Sequence, residues 1–446
     1  MKGRLKIIFV ILGVALVSLA NAQNNKPLTL NEAIDLSIKN SKQLKINRAK
    51  VEQASAAVKE AIQRRLPDAS LSGSYIRLAN PAVDLKTKSS NSGGSGGNGG
   101  GIPKVNQAAY GILSASLPIY AGGKISYGIE SSKYLAHAEE LDAENSKEEV
   151  IDNTIEAYVN LYKANAAVKL YEENLVQAQQ RVKDFSNLEK NGLLARNDLL
   201  KVQLQASNVE LSLLDARNNW ELANVNMDLM LGLPENTTLA PDSTVIDQNF
   251  SVGTLDEYVQ SALKNRKDME AMGLRKQAAD LGVKAIKADR YPAIALTGGY
   301  IAADIPKMLT ITNAANIGVG ISYNLGSLWK NKAKVEQAEA QSRQLEATQE
   351  LMNNNIRLQV NRAYLNWLSS QKKLEVYTKA VEQADENYRI VKNKYNNGLA
   401  TVTDLVEADV AQLQSHLNYS IAKADAVIVY NQLLEAAGTL SQPQTN

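Results

Sequence analysis

Apolar residues recur along this chain with two different periods, and the switches between them mark out its elements. Over long stretches the spacing alternates between four and three residues. One such run passes through Val150, Thr154, Ala157, Leu161, Ala164 and Val168, then Tyr171, Leu175, Ala178 and Val182 to Phe185. A second runs from Ile356 through Val360, Ala363, Trp367 and Ser370 to Val391. Two more, Leu199 to Met227 and Leu405 to Leu433, keep the same rhythm. A mean step of 3.5 residues predicts helices wound about one another in a left-handed supercoil. A helix over 126–189 contains 64 residues and spans roughly 95 Å. An ordinary globular domain has no use for such a length.

Between these runs the period falls to two. Ile317, Val319, Ile321, Tyr323 and Leu325 alternate with Gly318, Gly320, Ser322 and Asn324. Gly111, Leu113, Ala115, Leu117 and Ile119 form a matching series around Ser114 and Ser116. Strands are predicted at about 68–78, 108–120, 293–303 and 313–325. Pro67 and Pro292 stop the helices that precede two of them. About ten residues with one apolar face suit a tilted strand crossing a bilayer. By the residues alone, a hairpin of a soluble sheet fits equally well.

The pattern is written twice. At an offset of 206, Tyr158 falls on Tyr364, Tyr171 on Tyr377, Gly192 on Gly398, Asp198 on Asp404 and Gly232 on Gly438. Upstream the offset is 225, where Leu30-Asn31-Glu32 falls on Leu255-Asp256-Glu257 and Pro67 on Pro292. The chain is an internal tandem duplication, with repeats at 23–233 and 255–440, a connector at 234–254 and a tail at 441–446. Each repeat reads as a helix, two strands and a long helical hairpin. "NGLLARNDLL" and "NGLATVTDLV" are the hairpin turns. Gly192 and Gly398 suit the left-handed position past a helix end. Asn197 and Thr403 are the expected caps of the next helices, with Asp198 and Asp404 in the first turn, facing the positive end of the dipole.

Composition narrows the setting. The opening "MKGRLKIIFVILGVALVSLANAQ" has the basic start, short apolar run and small residues of a secretory leader, with cleavage expected after Ala22. The apolar run is shorter than the roughly 18 residues of a spanning helix. The 446 residues include no cysteine, so disulfides, thiolate metal sites and a lipidated N-terminal cysteine are excluded. The formal charge of +2 includes Lys2, Arg4 and Lys6, so the chain without its leader carries −1, and nothing indicates a nucleic-acid partner. The change of offset falls in "KSSNSGGSGGNGGG" at 88–101. It contains a formal glycine fingerprint for dinucleotides, but no strand runs into it and no helix follows, so it reads as a loop.

The leader, the phrase "LTLNEAIDLSIKNSKQLK" at 28–45, the duplicated order of elements and a GL-x-x-x-x-D turn in each repeat resemble the TolC-type outer-membrane efflux proteins. The resemblance covers nearly the whole chain beyond the leader. It implies a mainly α protein with membrane β: a homotrimer in which four transmembrane strands per chain build a shared 12-stranded β-barrel in outer-membrane lipid. A long coiled-coil tunnel continues through the periplasm of a Gram-negative bacterium, with the connector and tail in a belt around it. The implied function is passive conduction in tripartite efflux or type I secretion. The implied partners are a periplasmic adaptor and an inner-membrane pump such as an RND or ABC transporter. Docking candidates are Gly192, Leu193 and Asp198 in one turn and Gly398, Leu399 and Asp404 in the other. The pore-gate candidates are Asp404 and Glu407; Glu407 departs from the Asp common in the family, and the first repeat has Lys201 at its position.

Catalytic chemistry has little to stand on. His137 and His416 are the only histidines and lie far apart on predicted helices. No nucleophile, metal or cofactor constellation is present, so no enzyme and no cofactor are expected. Trp220 and Trp367 fall in the heptad seams and read as packing, while Trp329, just past the last strand, suits a membrane interface. The competing reading is a soluble periplasmic coiled-coil scaffold or adaptor, which leaves four alternating strands unexplained.

Overall fold

The computed structural model describes residues 25–79, 106–247, 250–306 and 309–440. The leader, the glycine-rich stretch at 88–101 and the tail at 441–446 lie outside the described residues. In chain order the elements are β1 (Asn25–Leu28), α1 (Leu30–Asn40), α2 (Lys42–Gln63), β2 (Asp68–Arg77), β3 (Gln107–Tyr120), α3 (Lys124–Lys190), α4 (Arg196–Leu231) and β4 (Thr238–Pro241). The second half adds α5 (Leu255–Asn265), α6 (Lys267–Lys287), a 3-10 turn (Ala288–Arg290), β5 (Ala293–Ile305), β6 (Leu309–Ser322), α7 (Ser327–Asn396) and α8 (Val402–Ala436). The expected long helices are present, at 67 residues for α3 and 70 for α7.

One expectation is corrected ahead of each strand pair, where a single helix is in fact two. Ser41 leaves helical geometry (φ −52°, ψ 124°), and its hydroxyl accepts the Leu44 N–H at 3.2 Å. The residue that ends α1 therefore caps α2. Arg266 breaks α5 from α6 with nearly the same angles (φ −66°, ψ 123°). The helices before the breaks are capped alike by Thr29 and Thr254, whose hydroxyls accept from Glu32 N–H at 3.2 Å and Glu257 N–H at 3.4 Å.

The chain forms two compact units, each drawing on both repeats. One comprises residues up to Ala49, Glu140–Ala271 and Gln349 onward. Its largest core gathers Leu28, Tyr158, Leu161, Met227, Leu231 and Leu239. Here the connector is partly ordered into β4, which pairs in parallel with β1 from Asn25↔Thr238 to Leu28↔Pro241. The pairing is anchored by Tyr158, fully buried, whose hydroxyl donates to the Leu28 carbonyl at 2.8 Å and accepts from the Asp242 N–H at 2.7 Å. Burial pushes this phenol up to about 12. Every position of the four heptad seams is buried or half-buried, and α4 packs on α8. A second apolar stripe is exposed: Leu200, Leu204 and Leu211 on α4, and Leu351, Leu358 and Leu365 on α7. Its steps of four and seven are those of another coiled-coil seam.

The other unit comprises Lys50–Glu139 and Met272–Thr348. At its centre is a four-stranded antiparallel sheet in the order β2-β3-β5-β6. The two repeats meet at its middle, where Leu113 faces Tyr300 and Leu117 faces Leu296. The register stacks Leu71, Leu113 and Tyr300 on one face, with Leu117, Leu296 and Val319 in a neighbouring row. The opposite face carries Ser70, Ser72, Ser114, Ser116, Thr297 and Asn316, and the Ser70 and Ser114 hydroxyls lie 2.8 Å apart. Both faces are open, and the apolar one leaves Leu71 and Ile317 each 81% exposed. At one end of the sheet, Gly122 (φ +62°) lets the β3–α3 turn approach the 3-10 turn, where a Cβ would lie 2.8 Å from the Ala288 carbonyl oxygen.

Candidate functional site

The tips of the two helical hairpins lie in the first unit. Both begin with the same stop signal. Past the end of α3, Gly192 (φ +72°) donates its N–H to the Glu189 carbonyl at 2.9 Å and Leu193 donates to that of Leu188 at 2.9 Å. Past α7, Gly398 (φ +70°) donates to Tyr395 at 3.0 Å and Leu399 to Lys394 at 2.8 Å. This paired bonding satisfies carbonyls that a helix end leaves without partners. It also turns Leu193 and Leu399 outward, 74% and 76% exposed. Each hairpin thus ends in a large, mostly exposed apolar side chain.

The next helices start two residues earlier than expected. Asn197 and Thr403 are inside α4 and α8, and the cap positions are Ala195 and Thr401. Thr401 forms a reciprocal capping box: its hydroxyl accepts the Asp404 N–H at 3.1 Å, and Asp404 Oδ2 accepts the Thr401 N–H at 2.8 Å. The Thr401 N–H, then its hydroxyl, then the Lys394 ammonium hold the Asp404 carboxyl below its ordinary range. Ala195 offers no side-chain cap. Asp198 is met instead by Lys201, whose Nζ lies 3.4 Å from Asp198 Oδ1 and donates to Thr403 Oγ1 at 2.9 Å. Lys201 thereby ties one tip to the other.

Beneath the tips, Phe185, Leu199, Val202, Val402 and Leu405 form a buried cluster. Phe185 stacks on Tyr395 with ring centroids 5.6 Å apart. This cluster fixes where the polar candidates point. Asp404 and Glu407 are both exposed, three residues apart on α8, beside the buried Leu405 and Ala408.

Sequence reasoning missed a nearly buried ion pair of the hairpins. Arg181 on α3 grips Asp409 on α8 through two bonds of 2.8 Å and also donates to the Tyr388 hydroxyl on α7 at 3.1 Å. The side chains of Arg181 and Asp409 are nearly buried, and the bond to Asp409 raises the guanidinium pKa. The available signal was Asp409 itself, an acid directly after the seam residue Ala408. His416 and His137 lie on separate long helices, and His416 Nε2 is 2.9 Å from Asp385 Oδ1. Trp367 packs as expected, edge-on to Phe250 at 5.9 Å. Among the described residues no helix is long and apolar enough to cross a membrane.

Comparison with known proteins points in one direction. The sequence profile described as outer membrane efflux protein matches residues 33–233 and 258–439. The outer membrane efflux protein BepC of Brucella suis biovar 1 is 21% identical over 329 residues, 73% of this chain and 71% of that protein. The probable efflux pump outer membrane protein TtgC of Pseudomonas putida is 24% identical over 182 residues, 39% of this chain and 37% of that one. Among solved structures, the outer-membrane channel OprN superposes with a TM-score of 0.77 at 20% identity, covering 93% of this chain and 91% of that chain. The outer membrane protein VceC of Vibrio cholerae gives 0.74 at 19% identity, covering 92% and 96%.

Proposed function

The chain belongs to the outer membrane efflux protein family, and on that basis we propose that three copies form an outer-membrane conduit that passively exports what a pump and adaptor deliver. The observation that carries this reading is the sheet. One face is apolar and bare, the other is lined with serine, threonine and asparagine, and β2 and β6 are its outer strands. In lipid an open sheet edge leaves backbone groups unsatisfied, and the smallest bacterial barrels have eight strands. Three sheets joined β6 to β2 close a barrel of twelve. The exposed leucine stripe of α4 and α7 supports the same assembly, since heptad leucines gain only when another helix covers them. A soluble scaffold would hold the apolar face of the sheet in water, at a cost of about 25 cal/mol per Å².

In this reading the hairpin tips with Leu193 and Leu399 meet the periplasmic adaptor. Asp404 and Glu407 from three chains make a ring of six carboxylates that favours cations. Crowding of like charges works against the capping bonds that lower the Asp404 pKa. The connector belongs to the belt around the helices. The first test is the mass of the protein extracted from outer membranes in mild detergent. We expect about 140 kDa of protein, three times the 48.5 kDa chain less its leader, and a conducting pore in planar bilayers. A monomer that stays in solution without detergent overturns the channel.

A further inference from the structure

We infer that a cavity where the sheet meets its helices is a binding site for a small anionic solute carrying a carboxylate or phosphate. The cavity has a volume of about 420 Å³, within the roughly 300–1,000 Å³ of small-ligand pockets. It lies wholly in the second unit, framed by the turn that Gly122 permits, the 3-10 turn and the start of α7.

Its lining shows which way it opens. From the two strand ends it takes every second residue, Tyr291 and Ala293 of one and Ser322 and Asn324 of the other, skipping Pro292 and Tyr323. Ala293 pairs with Ser322, and both have the parity of Thr297 and Asn316, on the polar face. From α7 it takes Ser327, Lys330, Asn331 and Lys334, a single stripe of that helix, and leaves Leu328 and Trp329 outside. Leu328 and Trp329 are exposed on other sides. A lipid headgroup is disfavoured by this arrangement, because the apolar face lies on the other side of the sheet.

The chemistry of the lining is that of an anion site. Lys124 is neutralised by Asp289, 2.7 Å away. Lys330 and Lys334 make no ion pair among the described residues, so the cavity carries excess positive charge. Two buried polar atoms have no partner. The Ser327 Oγ belongs to a residue 9% exposed, and the Asn331 Oδ1 to one 2% exposed. Asn331 Nδ2 is committed to the Ile286 carbonyl at 3.0 Å, which turns the unsatisfied oxygen away from it. Native proteins seldom leave such atoms unmet. The Ser327 hydroxyl donates to an anion held by the lysines, while the Asn331 oxygen accepts from a hydroxyl or ammonium on the same solute.

The placement of this cavity on a watery lumen rests on the channel reading above; the binding does not. The test is calorimetry on the full-length protein in detergent, titrated with inorganic phosphate and with succinate at low salt, alongside conductance in planar bilayers. Saturable binding of at least one probe at one site per chain is expected. Ser327→Ala should weaken it about fivefold and Lys330→Ala with Lys334→Ala tenfold or more, with secondary structure unchanged. No saturable binding of either anion, or binding indifferent to these substitutions, overturns the site. A wild-type protein that conducts but does not bind loses the site and keeps the channel. One that binds but does not conduct keeps the site and loses its lumenal placement.

Discussion

Arg181 and Asp409 show how much of the hairpins' stability rests on single side chains. Both charges are withdrawn from water and, among the described residues, satisfied by each other and Tyr388. Asp409→Ala leaves a buried guanidinium without a counter-charge and should cost about 3–5 kcal/mol, whereas Arg181→Met with Asp409→Leu should be near neutral. Urea unfolding followed by circular dichroism separates the two. A different balance holds at Asp152, whose carboxyl is raised from 3.8 to about 6 by burial, then by Glu435 and Glu156. The folded chain keeps a proton that the unfolded chain releases, so stability is lost as pH rises from about 4 to about 6. Asp152→Asn should remove that slope. Relative to wild type it should gain about 1 kcal/mol at pH 7 over pH 4, after allowance for solvent around a partly exposed group. In the sequence only Asp409 carried a signal, as an acid directly after the seam position Ala408. Arg181 and Asp409 are 228 positions apart, and the larger charge contribution at Asp152 comes from Glu435 on another helix.

At the scale of elements, periodicity was the legible quantity because it is local: the positions that keep the 3.5-residue step are those that turn inward. Caps were less legible. Asn197 and Thr403 are cap-forming types, but the glycine turn leaves the preceding helix so tightly that the next begins at Arg196 and Val402. Thr401 and Asp404 form a capping box whose counterpart at Ala195 has no side-chain cap. Introducing the missing hydroxyl with Ala195→Ser should stabilise the first tip by about 1 kcal/mol, and Thr401→Ala should weaken the second by a similar amount. Hydrogen exchange of the first-turn amides of α4 and α8 reads both changes separately. Gly398→Ala meets no neighbouring atom, so its expected cost of roughly 1–2 kcal/mol is purely that of left-handed backbone.

For the whole molecule, duplication could be read from the sequence but strand order could not, since the register that joins β3 to β5 depends on partners in different repeats. Assembly is the property that belongs to this scale. Leu358→Glu with Leu365→Glu places charges on the bare stripe of α7 and should shift the detergent-extracted mass from three chains toward one. At the tips, Asp404→Asn with Glu407→Gln should weaken cation preference and block by divalent ions in planar bilayers. Unchanged selectivity would remove the carboxylate ring from the gate.

The ladder between β3 and β5 also sets a clock. Ile112 waits for Ile301, roughly 190 residues later in the chain, a separation that slows pairing. Until those residues have crossed the inner membrane, the first hairpin has a bare apolar face and no partner. In the proposed assembly even the finished sheet lacks neighbours for β2 and β6 until other chains arrive. Entry into the bilayer would then follow association, at a rate rising steeply with the number of chains in the periplasm. A cell that makes this protein slowly has most to gain from a factor that holds the strands apart in the meantime.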